Sequence, residues 1–247
     1  MKNERTLKYF LKDDIRQETD FRKTDQNMGV PAPPIEKPCP ADAKKIPLTN
    51  PEAFKTGEIS LETAIFKRES RRRFKNEALS IEELSFLLWS TQGVRKWHQK
   101  YALRTVPSAG NRHALETYLA VFNVNNLEPG IYRYLPSQHQ LVLESSPNYL
   151  KERMIDTALN QQFAGSGAVT FIWTTIPYRM EWRYGEASYK VIALDAGHVC
   201  QNLYLACEAI GAGTCAIAAY DQPAADRLLN LDGDDEFVVY MAPVGKV

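Results

Sequence analysis

Residues 67–75 read KRESRRRFK and carry six cationic side chains, which makes this basic run the strongest candidate for binding an anion. Arg68, Ser70 and Arg72 alternate along it, and in an extended segment alternate side chains project to one side. Two guanidinium groups with a hydroxyl between them are the donors that a phosphate dianion requires. The run also follows a predicted helix, where cations stabilise the helix dipole and solvated charged stretches are common. The residues alone leave both interpretations open.

The overall charge argues against a nucleic acid as this anion. The 247 residues include 30 Lys+Arg and 30 Asp+Glu, so the formal net charge is zero. Nucleic-acid-binding proteins usually carry a surplus of positive charge over one face. The N-terminus has no apolar signal region, and the longest apolar runs are too short to span a membrane. We therefore expect a cytoplasmic protein that binds neither nucleic acid nor membrane.

Other chemical motifs are weak. The four cysteines lack the close paired spacing of zinc or redox sites, so we expect free thiols in a reducing compartment and no metal site, even one that includes His198. GAGTCA at 211–216 follows a predicted helix and opens a strand, whereas a dinucleotide fingerprint does the reverse. There is no Gly-x-Ser-x-Gly elbow, and the histidines have no evident nucleophile partner. Rossmann-type binding and hydrolysis are therefore disfavoured.

The chain divides at residue 57. Residues 1–57 are polar and include the proline-rich PAPPIEKPCP at 31–40, which predicts an extended N-terminal arm. An arm with little core of its own needs a host surface, which is either its own body or a second subunit. We expect the second subunit.

Residues 58–247 predict a mixture of helices and strands without a regular βαβ order, which favours the α+β class. Predicted helices begin at Ser60, at the Ser80–Glu83 capping box, at Ser146 with Pro147, and at Asp195. Predicted strands include 117–124, two short strands within 127–145, the buried run 168–176, 214–220, and a final strand near the C-terminus.

Several blocks of this region resemble the flavin-dependent nitroreductases, in that family's order. Arg68, Ser70, Arg72 and Phe74 are similar to the R-x-S-x-R-x-F signature that opens these proteins, and RTVPSAGNRHALE (104–116) is similar to their Pro-Ser loop. WRYGEASYKVIALDAGHVCQNLYLACEAIGAGTCAIAAYD (182–221) resembles the subgroup that includes the dehydrogenases of thiazole and oxazole peptide maturation. The resemblance extends over residues 58–247.

The resemblance implies a nitroreductase-like three-layer fold, a mainly antiparallel central sheet flanked by helices, and a homodimer with FMN bound where two chains meet. It implies that Arg68, Ser70 and Arg72 hold the FMN phosphate, with Lys246 a weaker candidate for the same anion. The partner chain would supply Pro107, Ser108, Ala109 and Asn111. Ala218 and Ala219 match the segment whose backbone amide meets flavin N5, although many relatives have glycine where this chain has Ala219.

Flavin chemistry also requires a positive group near N1 and C2=O, where charge develops when N5 accepts hydride. Arg104, just ahead of the Pro-Ser residues, is the candidate, and the alternative is a surface guanidinium paired with an acid. The hydroxyls of Tyr184 and Tyr189 could protonate a substrate, but tyrosines more often serve packing. We therefore assign no catalytic residue.

The expected function is that of an FMN-dependent oxidoreductase, which passes hydride from NAD(P)H through the flavin to an oxidised acceptor such as a nitroaromatic or a quinone. Two alternatives remain open. One is an azoline dehydrogenase, which oxidises a thiazoline or oxazoline ring in a peptide and passes the electrons to oxygen. The other is a non-catalytic flavin-binding protein in which the arm blocks the substrate face.

Overall fold

The computed structural model describes residues 8–98 and 101–247. Its strands are β1 (Lys45–Pro47), β2 (Val94–His98), β3 (Tyr101–Arg104), β4 (Leu115–Val121), β5 (Gly130–Leu135), β6 (Gln140–Ser145), β7 (Val169–Thr175), β8 (Ala212–Thr214) and β9 (Phe237–Lys246). Seven of them form one sheet in the order β1-β6-β5-β4-β7-β9-β8, and every neighbouring pair is antiparallel. β2 and β3 form a separate antiparallel pair.

Helices cover both faces of this sheet. They are α1 (Ile15–Glu18), α2 (Leu61–Lys67), α3 (Ile81–Gln92), α4 (Leu150–Thr157), α5 (Tyr178–Tyr184), α6 (Ser188–Ala209) and α7 (Gln222–Leu228). Successive strand side chains alternate between faces, so Phe171 and Trp173 of β7 join the core beneath α3 and α6, while Ile172 joins the core beneath α4 and α7. The predicted α+β class and the three-layer arrangement are confirmed.

Several predicted element boundaries are correct. Both hydrogen bonds of the Ser80–Glu83 capping box are present at the start of α3, and that helix ends at Gln92 with Gly93 as its C-cap. β4 and β7 are buried along their whole length, as the apolar run 168–176 indicated for β7. No helix among residues 8–98 and 101–247 is both long and apolar enough to cross a bilayer.

Three boundaries were predicted wrongly. The long helix starts at Ser188 and not at Asp195, because the Asp195 carboxylate binds the Ala109 amide and caps no helix. The helix predicted from Ser146 begins at Leu150, after Tyr149 adopts a left-handed conformation with φ of 57°. Of the strand predicted over 214–220, only Thr214 lies in a strand, at the end of β8; the residues that follow pair with β9 at one isolated bridge, between Ile217 and Met241.

The described part of the N-terminal arm lies on its own chain, so the expected second subunit is not needed as its host. β1 extends the sheet by pairing with β6. Further back along the arm, Trp182 Nε1 donates to the Val30 carbonyl at 2.9 Å, and the Gln26 amide donates to the Trp182 carbonyl at 2.8 Å. The arm is therefore part of the folded body.

Buried charges explain why the proline-rich segment binds there. It contains no helix or strand, as predicted, and its backbone groups form hydrogen bonds with side chains of the rest of the chain. Arg104 donates to the Ile35 carbonyl at 2.8 Å, Arg133 donates to the Lys37 carbonyl at 2.8 Å, and the Lys37 amide donates to Glu116 at 2.7 Å. Arg133 and Glu116 are both only 2% exposed, so removal of the arm would leave buried charges without these partners.

Candidate functional site

The basic run lies along the edge of the sheet beside β8. Ser60 caps α2 by accepting from the Thr63 amide, and the helix ends at Lys67, so the run that follows is extended. Ser70 forms a parallel bridge with Thr214, and the Arg71 amide donates to the Thr214 carbonyl at 2.9 Å. The extended backbone that the alternation argument required is therefore present.

Alternate side chains of the run face different surroundings, as predicted. The Arg68 guanidinium lies 5.5 Å from the centroid of the Tyr204 ring, and Ser70 Oγ lies 3.0 Å from the Tyr204 hydroxyl. Arg71 instead pairs with Glu69 at 2.9 Å and approaches Glu208 at 3.8 Å. Arg68 and Ser70 thus share one environment, and Arg71 belongs to another.

Arg72 connects the run to the segment that contains Ala218 and Ala219. Its guanidinium lies 5.6 Å from the centroid of the Phe163 ring, and the nearby Gln161 side chain donates to the Ala219 carbonyl at 2.9 Å. Ala218 and Ala219 are both exposed. The structure therefore brings five of the predicted site residues to one region of the surface.

Tyr204 contacts both the basic run and the segment at residues 216–219, and the sequence analysis did not single it out. Its hydroxyl accepts from the Ala216 amide at 2.9 Å while lying beside Ser70. In the sequence, Tyr204 is one aromatic residue in a helix that is amphipathic throughout, so nothing distinguishes it from a packing residue. Only the neighbouring elements reveal its position between the basic run and residues 216–219.

A cavity of about 520 Å³ opens beside Ala218. Its walls come from α6, from β9 and from the segment between β8 and α7, and they include Ile192, Gly197, Ala218, Tyr220, Val239 and Tyr240. Burial raises the pKa of Tyr240 to about 12, so this hydroxyl stays protonated at neutral pH. The arm contributes Phe10 to the same wall. This apolar cavity has the size and chemistry to take a flat ring system.

One face of α6 connects the cavity with the basic run. At 3.6 residues per turn, Ala193, Gly197 and Tyr204 lie within about 40° of one another around the helix, and they span roughly 16 Å along its axis. A Cβ added at Gly197 would meet no atom within 4 Å. The helix surface is therefore open at Gly197, and the same face points towards the basic run at Tyr204.

The Pro-Ser loop lies on the opposite side of α6. The Ala109 amide donates to both Asp195 carboxylate oxygens at 3.3 Å, and nine residues separate Asp195 from Tyr204, which is about 180° around a helix. Burial raises the pKa of Asp195, while the Ser108 side chain and the Ala109 amide favour its charged form. Pro107, Ser108, Ala109 and Asn111 of one chain are therefore not brought together with that chain's Arg68, Ser70 and Arg72.

A buried histidine fixes the geometry of the Pro-Ser loop. Asn111 donates through Nδ2 to the Ala102 carbonyl at 3.0 Å, so its Oδ1 is the acceptor for His113 Nε2 at 2.8 Å. The His113 amide donates to Ser108 Oγ at 2.9 Å. Burial lowers the pKa of His113 to about 3, and nearby arginines add to the shift, so the ring is neutral at neutral pH.

Arg104 and Lys246 already have partners. Arg104 is 4% exposed and donates to Gln92 at 2.9 Å and to the Ile35 carbonyl, so it is not the surface guanidinium of our alternative interpretation. Burial lowers its pKa to about 10. Lys246 forms an ion pair with Glu83 and donates to the Ile210 carbonyl at 2.7 Å. Within this chain the side chains of both Arg104 and Lys246 already bind protein groups.

The two tyrosines that were considered as proton donors, but not assigned, also contact other residues. Tyr189 donates to Glu181 at 2.7 Å, and this hydrogen bond is the main reason that its pKa is raised to about 12. The Tyr184 ring lies beneath Arg183 and Arg16, at 5.6 and 5.7 Å. No group of three or more metal-binding side chains gathers in residues 8–98 and 101–247.

The donors of the basic run fit a phosphate. In the part of the chain that the structure describes, neither Arg68 nor Arg72 has a carboxylate within 4.0 Å, in contrast to Arg71 and Lys246. Arg72 and Ser70 are exposed and Arg68 is half-buried, so these groups remain accessible to an anion. Two unpaired guanidiniums beside a hydroxyl supply the donor set that a dianion requires.

Comparison with known proteins relates this geometry to a family. The model of the Nitroreductase family matches residues 65–246. A candidate nitroreductase of Methanocaldococcus jannaschii is 31% identical over 189 residues, which is 76% of this chain and 92% of that protein. The trifolitoxin-processing protein of Rhizobium leguminosarum bv. trifolii is 29% identical over 133 residues, which is 52% of this chain and 36% of that protein.

A solved structure gives the same result for the fold. The crystal structure of a candidate nitroreductase from Ralstonia eutropha matches with a TM-score of 0.69 at 24% identity, and the match covers 88% of this chain and 98% of that one. At this identity the likeness concerns the fold. The family model matches most of the chain, including the basic run, the Pro-Ser loop and both segments around the cavity.

Proposed function

Because the chain belongs to the nitroreductase family, whose members are FMN-dependent oxidoreductases, we propose that it transfers hydride from NAD(P)H to an oxidised small molecule such as a nitroaromatic or a quinone. FMN is the family's cofactor, and when bound it accepts a hydride and passes it on. The observation that carries the proposal is the pair of unpaired guanidiniums at Arg68 and Arg72. Arg68 lies over Tyr204, whose hydroxyl binds the Ala216 amide of the segment beside the apolar cavity.

In this proposal each part of the site has one task. Arg68, Ser70 and Arg72 bind the phosphate, and the α6 face at Gly197 leads to the cavity, which holds the ring. The backbone of Ala218 and Ala219 approaches the ring edge, where a side chain no larger than a methyl group allows close contact. Arg104 and Lys246 stay secondary candidates, since each already binds other groups.

The site as proposed is completed by a second copy of the chain. One protomer's Pro-Ser loop faces away from its own basic run, on the far side of α6. In a homodimer the loop can instead reach the flavin bound by the partner. The loop residues then contribute to a site without having to lie on the same side of α6 as their own basic run; they are Pro107, Ser108, Ala109 and Asn111. The four free thiols fit the cytoplasmic location that we propose.

A second candidate function rests on a particular relative. The trifolitoxin-processing protein is named for peptide processing, so an azoline dehydrogenase that acts on a peptide ring is the alternative. Such an enzyme would reduce its flavin with the peptide and reoxidise it with oxygen. The two functions therefore differ in the source of the electrons.

An anaerobic titration distinguishes these functions. The purified protein, loaded with FMN, is mixed with NADH and separately with NADPH, and the visible flavin absorbance is followed. Rapid bleaching supports the reductase. An intact spectrum with both nucleotides refutes it and favours the dehydrogenase or a flavin carrier. A protein that binds no FMN at all would refute the whole proposal.

Mixed dimers test the shared site. One chain carries Arg68→Ala with Arg72→Ala, and the other carries Pro107→Trp, which places a bulky side chain at an exposed position of the Pro-Ser loop. We expect each homodimer to bind little FMN and the mixed dimer to bind one FMN, because it contains one complete site. Equal FMN binding by the Pro107→Trp homodimer and the wild type would contradict a site built from two chains.

A further inference from the structure

We propose that Tyr204 is a positioning residue that couples anion binding at Ser70 to the backbone of residues 216–219. The inference rests on the proposed function, which assigns the anion to the FMN phosphate and residues 216–219 to the flavin ring. The Tyr204 hydroxyl lies between the two, 2.9 Å from the Ala216 nitrogen and 3.0 Å from Ser70 Oγ. Its ring lies beneath the Arg68 guanidinium at 5.5 Å.

The donors and acceptors of these groups set a direction. The Ala216 amide only donates, so it occupies a lone pair of the Tyr204 oxygen. Tyr204 has one hydroxyl proton, and Ser70 Oγ is within reach as its acceptor. Ser70 then directs its own proton to an anion on the exposed side. The order of donation is Ala216 amide, Tyr204 hydroxyl, Ser70 hydroxyl, anion.

An anion selects this order over the alternative. Without one, the Ser70 proton can turn back towards the Tyr204 oxygen, since either hydroxyl can donate at this distance. With a phosphate bound, each hydrogen bond in the chain polarises the next and strengthens it. The Arg68 guanidinium over the tyrosine ring belongs to the same cluster, so two of the three phosphate-binding groups, Arg68 and Ser70, contact Tyr204.

The consequence is cooperativity between the two ends of the ligand. A bound phosphate strengthens the hydrogen bond that holds Ala216, and two residues later Ala218 forms part of the cavity wall. A ring that binds this wall therefore finds it better ordered when phosphate is present. Coupling of this kind is reciprocal, so each ligand raises the affinity for the other by the same factor.

Riboflavin and inorganic phosphate test the coupling, because they supply the ring and the anion as separate molecules. Riboflavin affinity is measured by fluorescence quenching in phosphate and in chloride at equal ionic strength. We expect phosphate to tighten riboflavin binding to the wild type by about fivefold, the lower end of typical couplings. Tyr204→Phe keeps the ring beneath Arg68 but removes the relay, so the effect of phosphate should disappear.

Tyr132→Phe is the matched control. It removes a hydroxyl that donates to the Glu128 carbonyl at 2.8 Å, outside the cluster, and it should retain the full effect of phosphate. With intact FMN, Tyr204→Phe should bind about tenfold more weakly, which corresponds to about 1.4 kcal/mol, while Tyr132→Phe should match the wild type.

Three results would overturn the inference: no effect of phosphate on riboflavin binding by the wild type, an undiminished effect in Tyr204→Phe, or an equal loss in both phenylalanine variants. A wild-type chain that binds neither FMN nor riboflavin would refute the proposed function itself. The two failures are therefore distinguishable.

Discussion

Replacement of both Arg68 and Arg72 by alanine is expected to weaken FMN binding by about 10²- to 10⁴-fold. A hydrogen bond to a charged group contributes about 1.5–3 kcal/mol, so the loss of two guanidinium contacts amounts to about 3–6 kcal/mol. Each 1.4 kcal/mol or so is a factor of ten in affinity. Neither side chain has a carboxylate partner within the described residues, so both are available to the phosphate.

The fold is expected to survive this double change. Arg72 is exposed, and the contacts that the two guanidiniums make are with the faces of the Tyr204 and Phe163 rings. Contacts of this kind at exposed sites contribute about 0.5–1 kcal/mol each, so the free energy of unfolding should fall by less than about 2 kcal/mol. Loss of FMN binding would therefore not arise from unfolding.

The matched control is Lys67→Ala with Arg73→Ala. These residues belong to the same run but not to the alternating set, both are exposed, and their replacement removes the same total charge. FMN fluorescence quenching, measured at low and high salt, gives the affinities, and urea unfolding gives the stabilities. We expect the control to weaken FMN binding by less than about threefold at moderate salt, because these two side chains make no direct contact in the proposed site and salt screens exposed charges.

Equal losses in the two double variants would refute the reasoning. That result would mean that FMN responds to the summed charge of the run and not to a built site. Retention of wild-type affinity by the Arg68 and Arg72 variant would refute it equally, since the phosphate would then bind elsewhere.

Three further predictions concern the framework of the site. Arg104→Met removes the donor to the Ile35 carbonyl, so the free energy of unfolding, measured in urea, should fall by about 2–4 kcal/mol. FMN affinity should stay nearly unchanged. A large loss of affinity would instead support the flavin role suggested by the sequence. His113 has a pKa of about 3 when folded against about 6.5 when unfolded, so the unfolded state binds the extra proton and stability falls as pH drops below about 6.5. Between pH 7 and 4.5 this costs up to about 2–3 kcal/mol, and His113→Gln should show a correspondingly shallower loss in urea titrations at the two pH values. Asp195→Asn replaces a carboxylate that accepts from Ala109 with an amide, so it should loosen the Pro-Ser loop and weaken FMN binding, and unchanged affinity would contradict the role of that loop.

Local patterns in the sequence predicted the parts of the fold that depend on neighbours along the chain. The Ser80–Glu83 capping box and the buried run of β7 were recognisable because their signals lie within one element. The start of α6 was predicted wrongly because Asp195 has the composition of a helix cap, whereas its carboxylate is bound by a loop 86 positions away. The host of the arm was predicted wrongly for a similar reason, since buried side chains far along the chain bind its backbone.

For the site, the alternation in the basic run was enough to predict which side chains share a side, because in an extended segment alternation alone determines this. The residue types left open whether Arg68, Ser70 and Arg72 bind an anion, and the family resemblance implied the phosphate. The position of Tyr204, the separation of the Pro-Ser loop from the basic run across α6, and the commitment of Arg104 to the arm all depend on packing between distant segments. A hydroxyl or guanidinium has the same chemistry wherever it stands in a sequence. Its partners are chosen only when the chain folds and the buried polar groups must be satisfied.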